Sequence, residues 1–482
     1  MKTIKEAARE TRVAREADVV VVGGGPGGIG AAVSAARNGA DTVLIERYGH
    51  LGGMGTGGLV TIIPLLTDIF GKQQIIGLTQ EWIDRLEVRD AVFYPKKEHW
   101  GTLDKELVRY YFDRSFFMSR LDRVVYAAII DAEISKYILN EMVEEAGVKT
   151  YLDSWGTEPI MEGSECKGVI FESKSGRQAV LGKVVIDSTG DGDLLPYAGI
   201  EFEDNIPPNF RIANLALCFW VDGVDLNKAM DFRKNNPKEF MELSRKAMES
   251  GAQAGFMPSN LPNQESVVWF HNRYPNKSQV DVEELTRVEF QGRKVAIKTL
   301  DFYRKNMPGF EKSFLVLTCP QLGTRSSRRL IGEYKLTQKD LADNQPFQDT
   351  IAIFPDLDRG QESLDHPLMY IPYRSLLTKN VDNLLVACRA FSSDEHVQEW
   401  FNLIPHCIAF GEAAGTASAM ALQAGVSPKK VDIKALQKQL AKQGIPLPDV
   451  TKKVDYKYDG PELISTSPFT LGPPPPGGPG GS

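Results

Sequence analysis

The chain has 482 residues, 42% hydrophobic and 25% charged, with a formal net charge of −7. That is ordinary for a soluble globular protein and enough to bury a large core, most simply in two domains. The acidic balance argues against gripping phosphate backbones or anionic membranes, so no nucleic-acid and no membrane partner is expected; a local basic pocket stays open.

The N-terminal stretch MKTIKEAARETRVAREAD is charged throughout and has no apolar h-region, and no long apolar run follows anywhere. A cytoplasmic, soluble chain without a signal peptide is expected. Next, ADVVVVGGGPGGIGAAVSAARNGADTVLIE reads strand, glycine turn, helix, strand. Val19–Val22 is a β-branched run, as in a strand buried on both faces. Ile29–Asn38 is small and helical, with Gly39 suited to end it. Thr42–Ile45 is the second strand and stops at Glu46. Gly23 allows the tight turn, Gly25 lets the backbone approach a pyrophosphate, and Gly28 lets the helix pack on the sheet. Phosphates then meet a helix N-terminus, and Glu46 stands where a carboxylate accepts hydrogen bonds from an adenosine ribose.

A second G-x-G-x-x-G, at Gly53, Gly55 and Gly58, lies in ERYGHLGGMGTGGLV. No strand runs directly into it and no clear amphipathic helix follows. It reads as a loop of nearly bare backbone able to lie along an extended cofactor, or as a flexible loop with no ligand. The next helix is expected at Ala132–Ala146, stopped by Gly147, and short strands follow over 148–180. Lys183–Gly199 is again a strand and a glycine turn, in which Asp191 can bind a sugar hydroxyl or cap the following helix.

Residues 205–375 are rich in Asn, Pro, Trp and Phe and carry no glycine fingerprint, so they read as an inserted domain. Asn383–Phe391 returns to an apolar strand. Pro405–Gly425 is a small-residue helix with Pro near its start and Gly at its end. The fold class expected is α/β: a discontinuous Rossmann-like nucleotide-binding domain (17–204 and 376–426) with an inserted α+β substrate domain (205–375). A C-terminal extension (427–470) and a Pro/Gly-rich tail (471–482), too poor in apolar surface to order, complete the chain. The five cysteines are scattered and never form C-x-x-C. This argues against a metal centre or redox disulfide and for buried free thiols in a reducing compartment.

The stretch GGGPGGIGAA…TVLIERYGHLGGMGTGG resembles the FAD-binding segment of flavoproteins related to fumarate reductase, succinate dehydrogenase and p-hydroxybenzoate hydroxylase. More specifically, the chain resembles the broad FAD-dependent oxidoreductase family. KYILNEMVEEAGV, VVIDSTGDGDLLPYAG, PGFEKSFLVLTCPQLGTRSSRRLIGEY and YIPYRSLLTKNVDNLLVACRAFSS…GEAAGTA carry the same likeness. The resemblance implies FAD, with Gly23, Gly25, Pro26, Gly27 and Gly28 at its pyrophosphate and Glu46 and Arg47 at its adenosine. Gly52, Gly53, Met54, Gly55 and Thr56 would run past the pyrophosphate and ribityl chain toward the isoalloxazine, and Gly190 and Asp191 would close over them. Asn402, Leu403 and Ile404 would begin a helix aimed at the flavin N1/C2=O edge. A helix N-terminus there stabilises negative charge by about 0.3–2 kcal/mol. Gly411, Ala413, Ala414 and Gly415 would let that helix pack tightly, a role core packing alone also explains.

The chain departs from the family pattern twice. Ala387-Cys388-Arg389 stands where many relatives read AGR, and Asn402 where they often carry an arginine. The second departure puts any carried-over substrate contact in doubt. Arg325 can bind a substrate carboxylate or carbonyl in bidentate fashion or pair with an acid, and ion pairing with acids such as Glu333 is the reading for Arg328 and Arg329. Asp394, Glu395, His396, Glu399 and His406 lie between the last strand and the final helix; His396 or Glu399 can serve as a general base, or the loop can simply be solvated. His50 sits near the place of the histidine that carries FAD covalently in succinate dehydrogenase-like flavoproteins but lacks its surroundings, so noncovalent FAD is expected.

The resemblance implies an enzyme moving hydride between a small organic substrate and flavin N5 at about 3–3.5 Å, in a direction left open. A flavin monooxygenase or halogenase is the rival, and a non-catalytic FAD-binding partner protein is the reading from another class. The glycine fingerprint occurs once in full context, so electrons are expected from substrate, a diffusible reductant or another protein. A homo-oligomer is left open.

Overall fold

The computed structural model describes residues 2–450 except 206–214, 259–260, 263, 357–362 and 364–365. The valines at 19–22 form the inner end of a longer strand, β1 (Arg12–Val22). Its outer half is charged and largely uncovered, while the valines are sealed on both faces. After α1 (Pro26–Arg37) and β2 (Thr42–Ile45) come two helices before the one expected first: α2 (Gly77–Glu87) and α3 (Lys105–Arg114) precede α4 (Ala132–Glu145). Then follow β3 (Lys149–Tyr151), β4 (Trp155–Glu162), β5 (Glu165–Ser173) and β6 (Gly176–Asp187).

Five parallel strands lie in the order β3–β2–β1–β6–β7, where β7 is Leu384–Val386. Val22 pairs with Ile45 on one side and Asp187 on the other, and Asp187 pairs with Val386. The carboxyl ends of four strands therefore meet at one rim. Chain order reverses between β1 and β6, the place where open parallel sheets bind ligands. The antiparallel hairpin β4–β5 extends the sheet from the first half of β6.

Helix α5 (Ile404–Ala424) is buried from Ile404 through Ala419, as befits a helix of apolar and small residues all round. It lies directly on α1. A Cβ on Gly30 would come within 2.3 Å of the Ile408 carbonyl oxygen, and one on Gly411 within 2.0 Å of the Gly27 carbonyl oxygen. Only glycine permits backbones this close.

Helix α2 escapes a sequence reading because its cap is not local. It starts at Gly77 (φ +48) with no capping side chain nearby in sequence. Instead a carboxyl oxygen of the buried Glu412 of α5 accepts the Leu78 N–H at 3.0 Å. Burial pushes the Glu412 pKa up to about 8. The folded state thus holds a proton that the unfolded chain releases near pH 4.5. This group's contribution to stability is present below pH 4.5 and is lost as pH rises to about 8. Glu412→Gln keeps the acceptor and removes the charge. Its melting temperature relative to wild type is expected to rise steadily from pH 5 to pH 8.5; a pH-independent difference would refute the assignment.

The stretch 205–375 divides by packing. Strands Leu215–Asp222, Val268–Tyr274 and Phe314–Thr318 form an antiparallel sheet. On one face Phe219 and Phe270 stack at 4.9 Å, with Tyr303 of the helix Val282–Asn306 edge-on to Phe270. This unit has its own core, which Leu59 joins. Leu336, Ile351, Phe354, Met369 and Ile371 pack instead with the main sheet's core, as do Leu436 and Leu440 of the extension. Residues 451–482, including the Pro/Gly-rich tail, lie outside the described residues. All five cysteines are buried free thiols.

Candidate functional site

The turn after β1 is held by backbone crowding. Gly23 has φ +99, and a Cβ there would lie 2.4 Å from the Ser188 carbonyl oxygen; one on Gly28 would lie 1.7 Å from the Gly23 carbonyl oxygen. Gly25 is the opposite case: a Cβ there meets nothing within 4 Å. It faces an open-mouthed cleft of about 650 Å³ along the rim of the sheet. No side chain caps α1, so its first-turn N–H groups are available to an anion in the cleft. That is the cradle a pyrophosphate needs.

At one end of the cleft, the buried Glu46 carboxylate accepts the Gly24 N–H at 2.5 Å through Oε2 and the Tyr48 N–H at 2.7 Å through Oε1. Burial raises its pKa, and these N–H groups oppose the rise. Each oxygen keeps a lone pair for a ribose hydroxyl. The wall beyond is Tyr48, Ser154, Trp155 and Gly156, with the Arg47 guanidinium 5.1 Å from the Tyr48 ring centroid and 5.4 Å from that of Trp155. The hairpin supplies residues 155 and 156, which no motif announces.

The second glycine loop folds back on the first turn. Gly52 (φ +91) donates to the Gly24 carbonyl at 2.8 Å, and a Cβ on Gly53 would lie 3.0 Å from the Gly25 Cα. Gly53 and Met54 line the cleft. Gly55 packs on Trp82 and near Ile404, and Thr56 turns inward to donate to the Leu51 carbonyl at 2.5 Å. These residues build the loop from behind.

After β6, the buried Asp187 carboxylate accepts from Thr189 N–H, Thr189 O–H and Leu194 N–H at 3.0, 2.7 and 3.0 Å. This brings Thr189 and Gly190 to the cleft. Asp191 neither caps a helix nor lines the cleft; its Oδ1 accepts from Arg389 at 2.6 Å and from Ser327 O–H at 2.5 Å. Arg389 itself reaches the cleft. Asp193 also lines it, paired with Arg328 at 3.1 Å, and burial together with Asp191 pushes its pKa up to about 6. Arg329 pairs with Glu203 at 3.3 Å. Glu333, the acid expected for these arginines, pairs with Lys429 at 3.3 Å instead, because the Leu330 segment is drawn toward β6's glycine turn and the strand Phe202–Glu203.

At the inner end, Cys407 in the first turn of α5 and Gln321 of the inserted stretch line the cleft. Asn402 exchanges hydrogen bonds with Arg325: Arg325 Nη1 to Asn402 Oδ1 at 3.3 Å, and Asn402 Nδ2 to the Arg325 carbonyl at 3.4 Å. Leu403 precedes the helix as its N-cap. His406 is fully buried, accepts the Leu403 N–H at 3.4 Å and stacks on Phe354 at 4.2 Å. His396 and Glu399 sit on the short helix Glu395–Trp400 and are not among the cleft-lining residues. Its inward face carries Gln398, which accepts from Ser326 O–H at 2.5 Å and donates to the Arg389 carbonyl at 2.9 Å. His50 stacks on Tyr48 at 5.4 Å, against Gly57, and burial and Lys136 lower its pKa.

A groove with a glycine cradle, an open helix N-terminus and a ribose-facing carboxylate is the arrangement of a dinucleotide-binding site. A sequence model of the FAD dependent oxidoreductase family matches residues 18–440, and the chain belongs to that family. FAD is its cofactor, and it is an enzyme of the oxidoreductase class. No curated protein sequence matches it. Similar solved structures include a geranylgeranyl bacteriochlorophyll reductase-like protein from Thermoplasma acidophilum, 16% identical, TM-score 0.44, covering 89% of this chain and 84% of that one. A myxobacterial chondrochloren halogenase is 12% identical, TM-score 0.44, covering 89% and 79%. A p-nitrophenol 4-monooxygenase from Pseudomonas putida is 10% identical, TM-score 0.43, covering 86% and 82%. Among the described residues no helix is long and apolar enough to cross a membrane.

Proposed function

We propose that this FAD-dependent oxidoreductase transfers hydride between a small organic substrate and flavin N5, with the substrate held under the inserted sheet. The observation that carries the reading is the meeting of α5's N-terminal turn with the inner end of the cleft at Cys407. A helix N-terminus favours negative charge accumulating there by about 0.3–2 kcal/mol. FAD supplies the two-electron acceptor or donor; the chain binds, orients and tunes it. Gly23, Gly25, Pro26 and Gly27 would hold the pyrophosphate, Glu46 the ribose, Arg47 and Trp155 the adenine, and Met54, Gly190 and Arg389 the ribityl chain. His50, outside the cleft lining, would leave the cofactor noncovalent. An external electron acceptor or donor completes the cycle.

The test is anaerobic. Substrates are screened for bleaching of the yellow protein without added reductant. Bleaching by an organic substrate supports hydride transfer. Product formed only with an external reductant and oxygen would replace this reading with that of a monooxygenase or halogenase.

A further inference from the structure

In the inserted unit the strand Phe314–Thr318 runs along Leu215–Asp222, and so does the short pair Gly323–Thr324. Phe219 faces Thr318 and Ala216 faces Gly323, so four residues, 319–322, stand opposite two, 217 and 218. The excess makes a bulge, the device by which a strand re-aims a side chain. Both ends of it are fixed. The Cys319 N–H donates to the Cys218 carbonyl at 2.8 Å, and Leu322 is buried in the unit's own core. Between them Pro320 has no N–H to give. The Gln321 N–H leaves the sheet altogether and donates to the Gly57 carbonyl of the second glycine loop at 3.2 Å. Gln321 is thereby carried from the inserted sheet to the lining of the cleft.

The side chain arrives there unsatisfied. Gln321 Oε1 is buried and has no hydrogen-bond partner among the described residues. Gly57 leaves the room for it: a Cβ there would lie 3.2 Å from that oxygen and 2.4 Å from His50 Nε2. Arg389 lines the same cleft, and its Nε–H is buried with no acceptor. Buried polar groups left open are costly and rare in native proteins. A hydroxyl answers both kinds, because it donates and accepts. Among the parts of FAD, the ionised pyrophosphate offers no donor and would repel a carbonyl oxygen. The adenosine belongs to the end walled by Glu46 and Trp155. The ribityl chain carries a run of hydroxyls, and Met54 and Arg389, assigned to it above, share the cleft with Gln321.

We propose that Gln321 is a cofactor-binding residue whose Oε1 accepts a hydrogen bond from a ribityl hydroxyl of FAD. The inserted unit then completes the cofactor site as well as covering the substrate. The assignment rests on FAD in the cleft and is independent of the kind and direction of redox chemistry; no proton or electron transfer is given to Gln321.

The purified holoprotein is equilibrated with FAD in competition with FAD analogues lacking the 2′-, 3′- or 4′-hydroxyl of the ribityl chain. The flavin retained after desalting is identified by mass spectrometry, which gives the preference for FAD over each analogue without any turnover. Wild type is expected to prefer FAD over one of the three by about tenfold through this contact. Gln321→Leu is expected to lose that one preference and keep the others. Gln321→Glu, which retains an acceptor oxygen, is expected to keep all of them. Gln321→Met, unbranched and adaptable, covers the case in which Gln321→Leu fails to fold. Three results overturn the proposal. Wild type may retain all four flavins equally. The variant lacking the acceptor may keep every preference of wild type. Or it may lose all three preferences alike, which is the mark of a loosened glycine loop and not of a lost contact.

Discussion

Gly25→Val is expected to yield a folded protein that purifies without colour. The position has φ −70, which any residue adopts, and a Cβ there touches no protein atom within 4 Å. The new side chain projects into the cleft at the mouth of α1, where the pyrophosphate must come close to bare backbone. Overpacking of this kind costs about 1–3 kcal/mol, so FAD affinity falls by about five- to 150-fold. Far-ultraviolet circular dichroism and the flavin-to-protein absorbance ratio check both halves of the expectation. Gly28→Ala is the contrast, since its methyl would fall 1.7 Å from the Gly23 carbonyl oxygen and should damage folding itself. Unaltered flavin content in Gly25→Val would mean that the cleft is not the pyrophosphate site.

Arg389→Met is expected to destabilise the protein by about 3–5 kcal/mol, read as a lowered guanidinium midpoint. The Arg389 side chain is 12% exposed and its partner Asp191 5%, with 2.6 Å between their charged atoms. Removing the guanidinium strands a buried carboxylate that Ser327 alone cannot satisfy. Combining Arg389→Met with Asp191→Asn removes the stranded charge, keeps the Ser327 hydrogen bond, and should recover a large part of the loss. A double variant no better than the single one would show that packing under Gly190, and not charge, gives the pair its importance.

What the sequence made legible was what it encodes locally. Val19–Val22, the glycines after them and Glu46 carry their geometry within a short span, and the structure keeps all of it. The outer half of β1 was hidden because RVAREAD is charged; it is a strand only through pairing with Gln178–Gly182. Helix α2 was hidden because Glu412, far along the chain, caps it. In the loop before α5 the reactive residue types drew attention to His396 and Glu399, yet the short helix turns Gln398 inward. Trp155 had no motif to mark it. Gln321 reaches the cleft only through a bulge that strand pairing on both sides creates, and CPQL by itself announces none.

The closeness of α1 and α5 also bears on how the protein is made. During synthesis the pyrophosphate turn leaves the ribosome early, but the helix whose carbonyls press against Gly30 comes from near the other end of the chain. Until Leu384–Ala424 emerges, the nascent sheet lacks an edge strand and α1 lacks its cover, leaving apolar surface bare. Closure of so distant a contact is slow. Flavin capture is therefore expected only once residues 384–424 have emerged and folded back, and supplying riboflavin or a holdase chaperone after induction should raise the yield of holoenzyme more than slowing translation does.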